Sequence, residues 1–132
     1  MIDHLSTYAT DFDGTRDFYA AVFAPLGYRQ LMEFTKADDE DLPGRRICAF
    51  GPEGNPAFWV IEVSTPYTPR HTAFCADSRA AVEAFHQAGL EAGGSDHGGP
   101  GVRPEYHPHY FGAFLIDPDG NNVEAVCHAP VD

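Results

Sequence analysis

The chain has 132 residues, with 20 Asp and Glu against 8 Lys and Arg and a formal charge of −12. So large a negative surplus excludes a phosphate backbone or an anionic membrane surface as its partner. The length suits one domain, or two small halves sharing a core, that folds without a disulfide or structural metal.

In chain order, HLSTYA (residues 4 to 9) alternates as a short strand, and a turn rich in Asp and Thr follows it. Phe18, Val22 and Leu26 then recur at helical spacing, with Thr15 as the expected N-cap. Strands are predicted near 28 to 35 and 45 to 50, separated by the charged loop DDED at 38 to 41. GPEGNPAFWVIEVS (51 to 64) sets a Gly/Pro turn before an apolar strand that carries Glu62, and TPYTPR (65 to 70) reads as a linker. HTAFCA then opens a second strand. Val82, Phe85 and Leu90 mark a second helix, capped by Ser78 or Asp77. A weak strand near 92 to 97 and a firmer one at 109 to 116 precede DPDGNNVEAVCH (117 to 128), a tight turn feeding a strand that carries Glu124.

The sequence therefore repeats itself. Residues 1–65 and 70–132 each open on a His, run through strand, helix and two further strands, and close on a Glu. The expected fold is α+β: a single domain, 1–132, of two βαβββ modules whose strands form a half-open curved sheet. Cys48, Cys75 and Cys127 lie far apart in apolar stretches and read as reduced core thiols. With no basic leader and no apolar run of roughly 18 residues, this makes a soluble cytoplasmic protein the expectation.

The closing glutamates pose the chemical question. A carboxylate inside an apolar strand costs several kcal/mol, roughly, unless a cation or donor stands near it. If the strands bearing His4 and His71 turn those side chains to the concave face, two imidazoles and two carboxylates can converge there. That is a ligand set for a divalent ion of the Zn, Ni, Mn, Co or Fe class. The alternative for each His is a strand residue satisfied by a backbone carbonyl, and Glu62 could instead face solvent.

A second concentration of chemistry is GVRPEYHPHYFGAF (101 to 114). Tyr106 or His107 could act as general acid or base, Arg103 could hold a substrate carboxylate, and His109 and Tyr110 could contact the substrate. The competing reading is a flap packing its aromatics on the rim. His107 and His109 could also pair on a metal. His128 follows Glu124 on the same strand face, His86 lies on a helix, and Phe58 and Trp59 belong either to the core or to the lining of the cup.

The paired halves, His4, Glu62, His71, Glu124 and the run FLIDPDGNNVEAV resemble the vicinal oxygen chelate superfamily, which includes glyoxalase I, the bleomycin and fosfomycin resistance proteins and extradiol dioxygenases. The resemblance covers essentially the whole chain. It implies a divalent metal or a small-molecule ligand in the cup and, commonly, a homodimer. Carried over by position, it assigns His4, Glu62, His71 and Glu124 as metal ligands, with Glu62 or Glu124 moving a proton. The expected activity is a lyase or isomerase that chelates an oxygenated substrate. The alternatives are a metal-free binding protein and an Fe(II) extradiol dioxygenase using two His and one Glu.

Overall fold

A computed structural model describes residues 2–131. Its elements are β1 (Leu5–Ala9), α1 (Phe12–Phe23), β2 (Arg29–Lys36), β3 (Arg45–Gly51), β4 (Phe58–Glu62), β5 (His71–Cys75), α2 (Arg79–Glu91), β6 (Ser95–Val102), β7 (Phe111–Ile116) and β8 (Asn122–Cys127). They form two four-stranded mixed sheets of identical topology, β1-β4-β3-β2 and β5-β8-β7-β6, so each half is the expected βαβββ module. In each module the first strand runs parallel to the last, which the intervening helix makes possible.

Two boundaries differ from the sequence reading. α1 starts at Phe12 because Asp11, not Thr15, accepts from the Gly14 amide, and Thr15 is buried inside the helix. The same capping bond joins Ser78 to Ala81 in α2. The strand expected at 92 to 97 begins at Ser95, since α2 runs to Glu91 and closes on Gly93 at φ 98°, a conformation that favours glycine.

Alternation divides each sheet into two faces. The inner faces carry Phe58, Val60, Cys48 and Phe50 from the first module and Phe111, Ala113, Leu115, Val123 and Ala125 from the second, all in one buried core with both helices. The modules meet directly there: the Phe74 ring lies 4.9 Å from that of Phe23 and 5.3 Å from that of Phe58. With the inner faces joined, the opposite faces of both sheets turn outward as two separate cups.

The turn before β8 locks the modules together. Asp117 is buried and accepts from the Asp119 and Asn121 amides, the Asn121 side chain and the Tyr19 hydroxyl of α1. Burial first, and then the Asp117 charge, push the Tyr19 hydroxyl well above its ordinary range, so it remains a donor. Asp119 adds two bonds from Thr10 at the end of β1.

Candidate functional site

The outward face of the second sheet is built from alternate residues of three strands. His71, Ala73 and Cys75 of β5 lie beside Asn122, Glu124 and Val126 of β8, and Phe114 of β7 stands opposite Glu124. The loop between β6 and β7 folds over this face. A cavity of about 490 Å³ results, lined by His71, Tyr106, His107, Tyr110, Phe114, Asn122, Glu124 and His128.

Glu124 is 2% exposed, and its two oxygens have different partners. The Tyr110 hydroxyl donates to Oε2. Burial and the neighbouring carboxylate raise the Tyr110 pKa, which keeps that hydroxyl protonated at neutral pH. Oε1 faces His71 Nε2 at 3.1 Å. The imidazole's other nitrogen, Nδ1, lies 3.2 Å from the Asn122 carbonyl, which can only accept, so the proton of the neutral ring is assigned to Nδ1. The unprotonated Nε2 then confronts a carboxylate oxygen. A proton or a metal ion between the two atoms would complete the pair.

The pair offers two of the donors that a metal ion would need. A His whose outer N–H is tied to a backbone carbonyl is held in the tautomer and orientation that ligation needs. Two donors each about 2.1 Å from one ion, at roughly a right angle, are about 3 Å apart. His71 and Glu124 meet that spacing, but no group of three or more His, Cys, Asp or Glu side chains among the described residues could hold an ion together.

The other two expected ligands lie elsewhere. His4 precedes β1, is exposed, and bonds to Asp3 at 2.7 Å. Glu62 shares the inner-face parity of Phe58 and Val60 and accepts from the Arg46 amide and guanidinium, each at 3.0 Å. The Arg46 bond is the first cause of its lowered pKa. Register explains the displacement. Asp11 and Ser78 cap their helices at equal distances after His4 and His71, so Ser6 corresponds to Ala73. Ser6 pairs with Trp59, whereas Ala73 pairs with Glu124. The first-module counterpart of Glu124 is therefore Trp59, and that face is mostly apolar: Tyr8, Met32, Phe34, Ile47, Ala49, Trp59 and Ile61 share it with Ser6 and, at one end, Lys36 and Arg45.

Of the remaining candidates, Phe58 is 3% exposed in the core and lines neither cup, because its parity is that of the inner face. His86 packs on Asp96 at 2.8 Å. Tyr106 and His107 line the cavity, while His109 stands outside it and donates its amide to His107 Nδ1. That bond assigns the neutral His107 proton to Nε2, which donates to His128 Nδ1 at 2.8 Å with the rings stacked. Arg103 lines an adjoining cavity. Phe114 and Asn122 were not singled out from the sequence, although Asn122 lies two residues before Glu124 and must share its face.

A family model described as Glyoxalase/Bleomycin resistance protein/Dioxygenase superfamily matches residues 1–125. No curated protein matches the chain in sequence. Among solved structures, a glyoxalase/bleomycin resistance protein from Albidiferax ferrireducens is 24% identical with a TM-score of 0.74, the match covering 98% of this chain and 99% of the other. A glyoxalase I variant from Zea mays is 22% identical with a TM-score of 0.70, over 95% of this chain and 43% of that longer one. TnmS3, an antibiotic binding protein from a Streptomyces species, is 20% identical with a TM-score of 0.63, over 98% and 96% of the two chains. At these identities the likeness to solved structures is one of fold.

Proposed function

Since the chain belongs to the Glyoxalase/Bleomycin resistance protein/Dioxygenase superfamily, we propose that its second-module cup binds a small oxygenated organic molecule beside a divalent ion held by His71 Nε2 and Glu124 Oε1. The observation that carries this reading is the confrontation of those two atoms at 3.1 Å with His71 Nδ1 already committed to a carbonyl. A divalent ion in such a site supplies Lewis-acid polarisation to adjacent substrate oxygens, the chemistry of a lyase or isomerase.

The chain's own groups do the rest. Tyr110 fixes the Glu124 carboxylate through Oε2, and Phe114 stacks beside His71 with centroids 6.3 Å apart, giving the ligand an apolar wall. The His107 and His128 pair, linked Nε2–H to Nδ1 at the cavity wall, leaves the His128 Nε2–H as a hydrogen-bond donor for the ligand. Glu62 takes no part because Arg46 holds it. The mostly apolar outward face of the first sheet, with Met32 40% and Phe34 45% exposed, supports a homodimer in which a second copy covers it.

Equilibrium dialysis against Zn, Ni, Mn and Co tests the reading, with light scattering on the same samples reporting the dimer. The native protein is expected to retain about one ion per chain. His71→Ala and Glu124→Gln should weaken retention at least roughly tenfold, and Glu62→Gln should leave it unchanged. Retention that survives Glu124→Gln, or falls equally with Glu62→Gln, contradicts it. A second reading, a metal-free binding protein, is favoured by one observation: both Glu124 oxygens already have partners, and one extra proton on His71 would complete the pair. Ligand binding unaffected by a chelator would establish it in place of the first.

A further inference from the structure

Next to the His71–Glu124 cavity lies a second one of about 320 Å³, lined by His97, Gly98, Arg103, Tyr106, Phe114 and Asn122. Tyr106, Phe114 and Asn122 line both cavities, so the two adjoin. Arg103 is unusual for this chain. Arg16, Arg29, Lys36, Arg45 and Arg46 each pair with a carboxylate. Among the described residues Arg70, Arg79 and Arg103 have no such partner, and of these three only Arg103 lines a cavity next to His71 and Glu124.

Its guanidinium is nevertheless held firmly. Nη1 donates to the Gly101 carbonyl at 2.8 Å and Nη2 to the Gly99 carbonyl at 2.7 Å, and the group lies 5.5 Å from the Phe114 ring centroid. The glycines of β6 make room for it. A Cβ on Gly101 would stand 3.1 Å from Nη1, and one on Gly98 would stand 3.3 Å from Nη2 and 3.1 Å from the Phe114 ring, at a φ of 147°. The glycine-rich end of β6 is thus a cradle for one cation. Two of the guanidinium's donors are spent on neutral carbonyls, which hold it in place without cancelling its charge, and the others remain for a ligand.

We propose that Arg103 is an anion subsite, and that the ligand of the adjoining cavities is an organic acid whose carboxylate meets Arg103 while its oxygenated end meets His71 and Glu124. This rests on the proposed role of the His71–Glu124 cup and adds the substrate class. Phe114 is the register partner of Glu124, so one strand spacing plus the guanidinium height sets the two ends on the order of 10 Å apart. An aromatic ring or short chain bearing a carboxylate spans that distance, with Phe114 and Tyr106 against its apolar middle. In a protein of charge −12, an uncancelled guanidinium at the cavity also explains how an anion could be admitted.

The test compares 4-hydroxyphenylacetate with its neutral isostere 4-hydroxyphenylacetamide by NMR titration of the labelled protein, following the Arg103 Nε–H and the Gly98, Gly99 and Gly101 amides. The acid should shift these signals and bind at least about tenfold more tightly than the amide, the effect of a charge-assisted pair. Arg103→Gln should abolish the preference, and Arg103→Lys should restore part of it. Equal shifts from acid and amide, no shift from either, or a preference that survives Arg103→Gln would overturn the proposal. Glu124→Gln separates it from the reading beneath it. If acid and amide both weaken in that variant, both stand. If neither changes while Arg103→Gln still removes the preference, the anion subsite stands and the Glu124 centre fails.

Discussion

His71 has one ring nitrogen committed to a backbone carbonyl and the other aimed at Glu124, whereas His4, the residue that matches it in the first module, is an exposed side chain bonded to its neighbour Asp3. The same contrast separates the two glutamates. Glu124 is buried among cavity residues, and Glu62 is tied to Arg46 at a strand end. The Arg46 pair lowers the Glu62 pKa below its ordinary value near 4.5, which fixes a pH dependence. A depressed folded-state pKa adds stability that is fully present above the unfolded value and is lost as pH falls through the folded one. Glu62→Gln should therefore lower the thermal midpoint at pH 7, with the difference from the native protein closing as pH drops below about 4.5. Parallel melts from pH 7 to pH 3 check this, and a constant difference would show that Glu62 acts only through its shape. At this scale the sequence showed that Glu124 needs a partner, because a carboxylate between valines and alanines is anomalous wherever it lies. It could not show that Trp59 takes the corresponding place in the first cup. That depends on where β4 enters its pairing with β1, which the turn before it decides and which a shared Glu in two similar strings conceals.

At the scale of elements, the turn from Asp117 to Asn121 is a structural lock rather than part of the cup. Asp117 gathers donors from its own turn and from Tyr19, which explains why an Asp and an Asn flank the Pro-Asp-Gly there. Removing one donor strands a buried carboxylate. Tyr19→Phe should cost about 1–3 kcal/mol, visible as a lower urea midpoint at unchanged slope, and a variant as stable as the native protein would show that Asp117 is satisfied without Tyr19. The turn, the alternation of β8 and both amphipathic helices were legible from residue type and spacing alone. β6 was not: with glycines at 98, 99 and 101 and a proline at 100 it has no alternation, and its strand form follows from β7 beside it and from the side chain of Arg103.

Across the whole molecule, the two modules keep one topology while their outward faces have diverged. One cup is mostly apolar and the other holds His71, Glu124 and the His107–His128 pair. The modules join through their inner faces, and His4 and Glu62 do not line the second cup. Repetition in the sequence was enough for the architecture, because strand order follows from the βαβββ pattern. It was not enough for the four-residue site, because convergence depends on face and register, and a repeat of residue types does not specify either. The account stands on the claim that the working centre is the His71–Glu124 pair. The most direct measurement is the anomalous scattering of crystals grown with Mn²⁺. The account predicts a peak within about 2.0–2.3 Å of both His71 Nε2 and Glu124 Oε1; a peak at Glu62 instead, or none between those two atoms at saturating metal, would contradict it.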